Sequence, residues 1–159
     1  MPHVMQMVLG LGSNLGSRLA LLSQAAALIA EVPDTEVTKR SAVYETAPMG
    51  PPQPWYLNAA VRIHTTLAPL ELWQHLQHIE SVCGRVKRER WGPRTLDIDI
   101  LWAETLQMND PSLCIPHRGL MERAFALAPL LDVAPELEPT LRGRLAELGG
   151  SPRIYCHVW

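Results

Sequence analysis

The chain has a single phenylalanine, only three cysteines and little charge, with 19% of residues ionisable as Asp, Glu, Lys or Arg and a formal net charge of −2. Each shortage excludes something. Cys83, Cys114 and Cys156 are odd in number, widely spaced and without a C-x-x-C pair. That argues against a disulfide framework or a zinc site and suits a reducing compartment. The near-neutral balance means the molecule as a whole is no electrostatic magnet for nucleic acid. No apolar run is long enough to span a bilayer. The first residues, Met1-Pro2-His3-Val4-Met5-Gln6, carry no charged n-region followed by an apolar core. Neither a membrane span nor a secretory leader is therefore expected, and the expected compartment is the cytoplasm. Internal repeats and low-complexity tracts are absent as well.

What is present is an ordinary globular composition, 47% hydrophobic over 159 residues. A chain of this length reads as one domain, 1–159, and can bury about 68–70% of its unfolded surface without a staple. Fourteen prolines are many, and Pro48, Pro51, Pro52 and Pro54 cluster in one irregular loop.

Hydrophobic periodicity divides the chain. Residues 4–11 read as a strand and 12–17 as a turn. The Ala/Leu-rich run 18–31 reads as a helix with Ser17 at its N-cap. Residues 35–46 are strand-like, 47–55 form the proline-rich loop, and 56–66 alternate again, with Leu57, Ala59, Val61 and Ile63 on one face. Pro69 opens a second helix, Leu72, Leu76, Ile79 and Cys83 keep its apolar spacing, and Gly84 stops it. A strand through Asp97 and Asp99 follows, then a short return strand within 106–115 and a helix from 121 to 131, with its pattern clearest up to Pro129. The tail from Pro135 is weakly patterned. The order β-α-β-β-α-β is the ferredoxin-like α+β arrangement, a mostly antiparallel sheet with helices covering one face. A C-terminal hairpin or helical extension follows it.

The densest chemistry lies in Glu89-Arg90-Trp91-Gly92-Pro93-Arg94-Thr95-Leu96-Asp97-Ile98-Asp99-Ile100-Leu101. Side chains alternate along a strand, so Asp97 and Asp99 share one face, roughly 6.5–7 Å apart, while Leu96, Ile98 and Ile100 face a core. Two close carboxylates on a strand built for burial need a counter-charge. Mg²⁺ supplies one, preferring one or two carboxylates with substrate phosphates completing its shell. The preceding loop adds Arg85, Lys87, Arg88, Arg90 and Arg94. Together these outline a polyphosphate site with metal on one side and guanidinium groups on the other. The bland alternative is a pair of exposed acids beside a solvated charge run. Trp91 can be a lid or a packing anchor, and Phe125 a stacking platform or core. Asn58 offers a donor and an acceptor in one plane, suited to a heterocycle edge. The glycines of Gly10-Leu11-Gly12-Ser13-Asn14-Leu15-Gly16 match neither the dinucleotide fingerprint nor a P-loop, which leaves a tight strand-to-helix turn as their reading.

With these segments assembled, the chain resembles the 6-hydroxymethyl-7,8-dihydropterin pyrophosphokinase family. The resemblance rests on Arg90-Trp91-Gly92-Pro93-Arg94-Thr95-Leu96-Asp97-Ile98-Asp99, with support from Tyr56-Leu57-Asn58-Ala59-Ala60-Val61, from Glu80 with Gly84-Arg85-Val86, and from Pro116-His117 followed by Arg123 and Phe125. It implies transfer of a diphosphoryl group from ATP to the pterin hydroxymethyl oxygen, with release of AMP. It also implies two Mg²⁺ ions on Asp97 and Asp99, with Arg94 and Arg90 assisting catalysis. Gln77, Glu80, Arg85, Arg94, Ile100, His117 and Arg123 would contact ATP. Thr46, Ala47, Met49, Tyr56, Asn58, Trp91 and Phe125 would frame the pterin, the ring stacked between Tyr56 and Phe125. Loops 47–55 and 85–94 are expected to close and exclude water. The partners implied are small molecules only, with no nucleic acid, no membrane and a monomeric protein. Two other classes fit the bare residues: nucleotide-transferring palm domains, which set paired acids on a similar sheet, and RNA-binding modules, for which one phenylalanine is a poor stacking supply.

Overall fold

Nine residues of alternating character, Met5–Ser13, form the central strand β1, and nearly all of them from Met7 onward are buried on both faces. The computed structural model describes residues 3–84 and 94–159. After β1 come α1 (Arg18–Ala30), β2 (Thr35–Arg40), β3 (Val43–Thr46), β4 (Tyr56–Thr65), α2 (Pro69–Val82) and β5 (Asp97–Ala103). A small hairpin of β6 (Met108–Asp110) and β7 (Leu113–Ile115) precedes α3 (Ala124–Val133), and α4 (Glu138–Glu147) and β8 (Arg153–Cys156) end the chain. The main sheet runs β5-β1-β4-β3-β8, with β2 also paired to β4, and each of its pairings is antiparallel. Taking β2 and β3 as one broken strand, this is the ferredoxin-like order.

Strand alternation sorts the core into two halves. Met7, Leu9 and Leu11 of β1 pack with Leu22 and Ile29 of α1, Leu72 and Leu76 of α2, and Leu96, Ile98 and Ile100. Val8 points the other way and packs with Tyr44, Ala60, Leu101 and the buried side of α3. The expectation of one helix-covered face therefore holds for α1 and α2 but not for α3, which covers half of the opposite face. Among the described residues the rest of that face is left uncovered, and the site lies there.

Other differences are local. Residues 35–46 are two strands rather than one, because Ser41 breaks the ladder and satisfies it with its side chain: Ser41 Oγ accepts from the Ala60 N–H at 2.8 Å. Ser17 precedes α1 without a side-chain capping bond. The third helix, expected over 121–131, spans Ala124–Val133 and so runs through Pro129. Proline there forfeits one i→i−4 donor, and the burial of Leu127, Leu130 and Leu131 against the sheet offsets the cost of about 3 kcal/mol. The extension is a helix plus one strand that joins the main sheet beside β3, and the hairpin sits before α3 instead of at the end. Among the described residues, no helix is long and apolar enough to cross a membrane.

Candidate active site

Register aligns the open half of the sheet. Gly12 of β1 pairs with Asn58 of β4 on one side and with Asp97 of β5 on the other; Gly10 pairs with Ala60 and with Asp99. Two rows therefore cross three strands, each with a carboxylate at one end and a glycine in the middle. The glycines make a floor without side chains. A Cβ on Gly12 would stand 2.9 Å from Asn58 Oδ1 and 3.6 Å from the Tyr56 ring, and one on Gly10 would stand 3.0 Å from Leu101. Glycine inside a strand commonly marks such a close approach. The reading of Gly12 as part of the turn is corrected, since β1 continues to Ser13; Gly10 lies in the strand as expected, and Gly16, at φ 75°, lies in the turn that leads to α1.

Above this floor is a cavity of about 440 Å³. It is lined by Asp97, Asp99 and Arg94, by Gln77 and Glu80 of α2, by His117, Arg123 and Phe125, and by Thr46, Ala47, Met49, Tyr56 and Asn58. Four segments distant in sequence thus bring most of the expected site residues into one concavity. Ile100 differs: it is buried at 1% exposure in the core under α1 and α2, because it alternates with Asp99 and must face the other way. The expectations attached to Arg85, Arg90 and Trp91, and to the rest of the loop 85–93, fall outside the described residues.

The polar groups have definite settings. Arg94 Nε lies 3.9 Å from Asp97 Oδ1, and His117 Nε2 lies 3.8 Å from Asp99 Oδ1. His117 Nδ1 accepts the Gly119 N–H at 3.0 Å, so in the neutral ring the proton sits on Nε2, the nitrogen nearer Asp99. Asn58 Nδ2 donates to Thr46 Oγ1 at 2.6 Å, which ties β4 to the end of β3. Arg123 stacks over Phe125 at 5.7 Å from the ring centroid. Glu80, 5% exposed, accepts the Ile98 N–H at 2.9 Å and so fixes α2 to the outer side of β5. Sequence reasoning missed Trp73, Gly10, Gly12, Leu101 and Ala126, all of which line the cavity. Trp73 lies four residues before Gln77 and seven before Glu80, so helical spacing from those two would have found it.

The donor set bears on which metal the carboxylates suit. Among the described residues no three His, Cys, Asp or Glu side chains gather into a complete metal cage. Two half-exposed carboxylates on one face, with open space above, fit a hard ion that draws its remaining ligands from phosphate and water.

A family model described as 7,8-dihydro-6-hydroxymethylpterin-pyrophosphokinase (HPPK) matches residues 8–135. The chain belongs to this family. It is similar to the 2-amino-4-hydroxy-6-hydroxymethyldihydropteridine pyrophosphokinase of Methylorubrum extorquens, 47% identical over 147 residues, covering 90% of this chain and 93% of the relative. It is also similar to the Bacillus subtilis protein of the same name, 44% identical over 131 residues, covering 82% and 78%. Among solved structures, a Plasmodium falciparum HPPK-DHPS chain crystallised with pteroate superposes with a TM-score of 0.63 at 14% identity, over 92% of this chain and 44% of that one. At that identity the likeness shows the HPPK fold alone, and this chain spans less than half the length of the solved two-part protein. Family membership decides between pyrophosphokinase, nucleotidyl-transferring palm and RNA-binding module in favour of the first.

Proposed function

We propose that the cavity over Gly10 and Gly12 is where this pyrophosphokinase joins its two substrates. The reaction is ATP-dependent transfer of a pyrophosphoryl group to the hydroxymethyl oxygen of 6-hydroxymethyl-7,8-dihydropterin, in folate biosynthesis. The observation that carries the site assignment is the register: Asp97 and Asp99 share one face, beside a floor with no side chains and below a wall of Arg94, His117 and Arg123.

Asp97 and Asp99 would hold Mg²⁺, which when bound supplies positive charge to the phosphate oxygens and orients them. The protein's own groups do the rest. Arg94 and Arg123 meet charge spread over the transferring phosphates, and His117 offers its Nε2–H from the same side. On the other side, the plane of Asn58 and the faces of Tyr56 and Phe125 suit a flat heterocycle with donors and acceptors along its edge. The pterin hydroxyl oxygen attacks the β-phosphorus, the bond to the α,β-bridging oxygen breaks, AMP leaves with that electron pair, and the hydroxyl proton is released to solvent. Transfer of this loose type depends on positioning and charge, so no strong general base is assigned.

The test is AMP release from ATP and the pterin alcohol, with circular dichroism as a control for folding. Asp97→Asn and Asp99→Asn should each lower turnover by at least about 100-fold, the scale of removing one electrostatic stabiliser, with unchanged spectra. Near-normal turnover in either variant at millimolar Mg²⁺ would defeat the assignment.

A further inference from the structure

Arg118 and Arg123 stand on either side of Gly119 in the chain and have different surroundings. Arg118 is exposed, and its Nε donates to Cys114 Sγ at 2.9 Å, beside the β6–β7 hairpin. Arg123 lines the cavity. Its guanidinium lies directly against the bare Cα of Gly119. A Cβ built on that glycine would stand 2.6 Å from Arg123 Nε, 2.8 Å from Cζ and 3.1 Å from Nη2. All three atoms belong to the charged head and none to the aliphatic stem. Among the described residues no carboxylate pairs with that head. The Phe125 ring stands beside it, its centroid 5.7 Å away.

What would yield to a side chain at 119 depends on what is pinned. The Gly119 backbone is held at both polar groups: its N–H donates to His117 Nδ1 at 3.0 Å, and its carbonyl accepts the Glu122 N–H at 3.2 Å. His117 is itself tied to the sheet. β5 bulges at Leu101, between its pairings with Val8 and Leu9, and the Leu101 carbonyl accepts the His117 N–H at 3.0 Å. Farther along, the Arg123 carbonyl accepts the N–H groups of Ala126 and Leu127, both at 3.0 Å, which fixes the Arg123 backbone to the start of α3. The part left to move is the arginine side chain. Gly119 itself has φ −90° and ψ 2°, a turn conformation open to most residues. The backbone therefore does not demand glycine here; the place taken by the Arg123 head does.

We propose that Gly119 is a positioning residue for the nucleotide: by lacking a side chain it gives the Arg123 guanidinium the place from which it meets the phosphates. The inference rests on the reading of the cavity given above, in which Arg123 belongs to the phosphate side. A guanidinium pushed aside keeps its charge but loses its aim, and a planar fork binds phosphate through direction as well as charge. His117, held through the N–H of the same glycine, keeps its place when only a methyl group is added.

Steady-state kinetics and melting curves on the full chain test this with Gly119→Ala, Arg123→Ala and the double variant. Alone, Gly119→Ala should lower kcat/KM for MgATP by about tenfold or more, the scale of one lost hydrogen bond to a charged group. KM for the pterin should stay within about twofold of normal, because the change falls on the nucleotide side. The thermal midpoint should be unchanged or higher, since alanine narrows the unfolded ensemble. Added to Arg123→Ala, the same change should alter kcat/KM by less than about twofold, because the group it displaces is gone. A glycine that served only its own turn would cost the same factor in both backgrounds, and that additivity would overturn the proposal. So would a Gly119→Ala protein with normal kcat/KM, or one with a lowered midpoint, in which the backbone yields instead of Arg123. In each of these cases the cavity reading stands. If Arg123→Ala itself uses ATP normally, the inference and the assignment of Arg123 to phosphate fail together.

Discussion

An alanine at position 12 would place its methyl carbon 2.9 Å from Asn58 Oδ1, tighter than ordinary contact and aimed at the side chain assigned to the pterin edge. The strand itself tolerates alanine better than glycine, by about 0.5–1 kcal/mol, so the cost falls on the site rather than on folding. Gly12→Ala should therefore raise KM for the pterin by about tenfold, equivalent to roughly 1.4 kcal/mol, with the thermal midpoint unchanged or slightly higher. Steady-state kinetics beside a melting curve checks both halves. A lower midpoint with normal KM would show that the floor is structural only. At this scale the sequence was most legible where a residue's chemistry is its signature. Asp97, Asp99, Arg94, His117 and Asn58 all line the cavity because carboxylate pairs, guanidinium groups and planar amides stand out in any pattern. Gly12 was misread as turn, and neither it nor Gly10 was recognised as part of the site, because an absent side chain has meaning only against the neighbour that fills its space.

The third helix is fastened to the break between β2 and β3 by one carboxylate. Asp132 Oδ2 accepts the Tyr44 hydroxyl at 2.7 Å and the Ala42 N–H at 3.1 Å. Burial, and then the bond to Asp132, push the Tyr44 phenol well above its ordinary value of 10.0. The fold thus favours the neutral phenol. Its contribution to stability is complete below about pH 10 and declines as the pH climbs beyond that, where the unfolded chain sheds the proton and the native one does not. Tyr44→Phe should cost about 1–2 kcal/mol at pH 8, and urea titrations at rising pH should show the gap to the unmodified protein narrowing above pH 10. A gap that widens there would contradict the assignment. Elements whose signals are local could be read in advance: β1, α2 with Pro69 at its start and Gly84 at its end, and the strand through Asp97. The split of residues 35–46 could not, because it is decided by contacts across the sheet that override local preference.

Across the whole molecule, the two edges of the sheet are closed differently. At one edge Glu80 occupies the Ile98 N–H of β5. At the other, β8 covers β3, and the last residue reaches back: Trp159 Nε1 donates to the Ser41 carbonyl at 2.7 Å, and Arg40 donates to the Trp159 carbonyl at 2.8 Å while lying 4.9 Å from its ring. Deleting residues 151–159 removes these bonds and should cost about 2 kcal/mol or more, visible as a lower urea midpoint. Asp97 and Asp99 sit on the opposite edge strand, so turnover at saturating substrate should stay within a factor of about two. A collapse of turnover in a still-folded truncation would mean that the tail reaches the chemistry. The carboxylates stand on a hydrogen-bonded ladder, whereas Ala47 and Met49 belong to a connection outside it. The part proposed to handle phosphate and the part proposed to meet the ring can therefore drift at different speeds, and an engineer could graft a foreign 47–55 segment to admit another heterocycle.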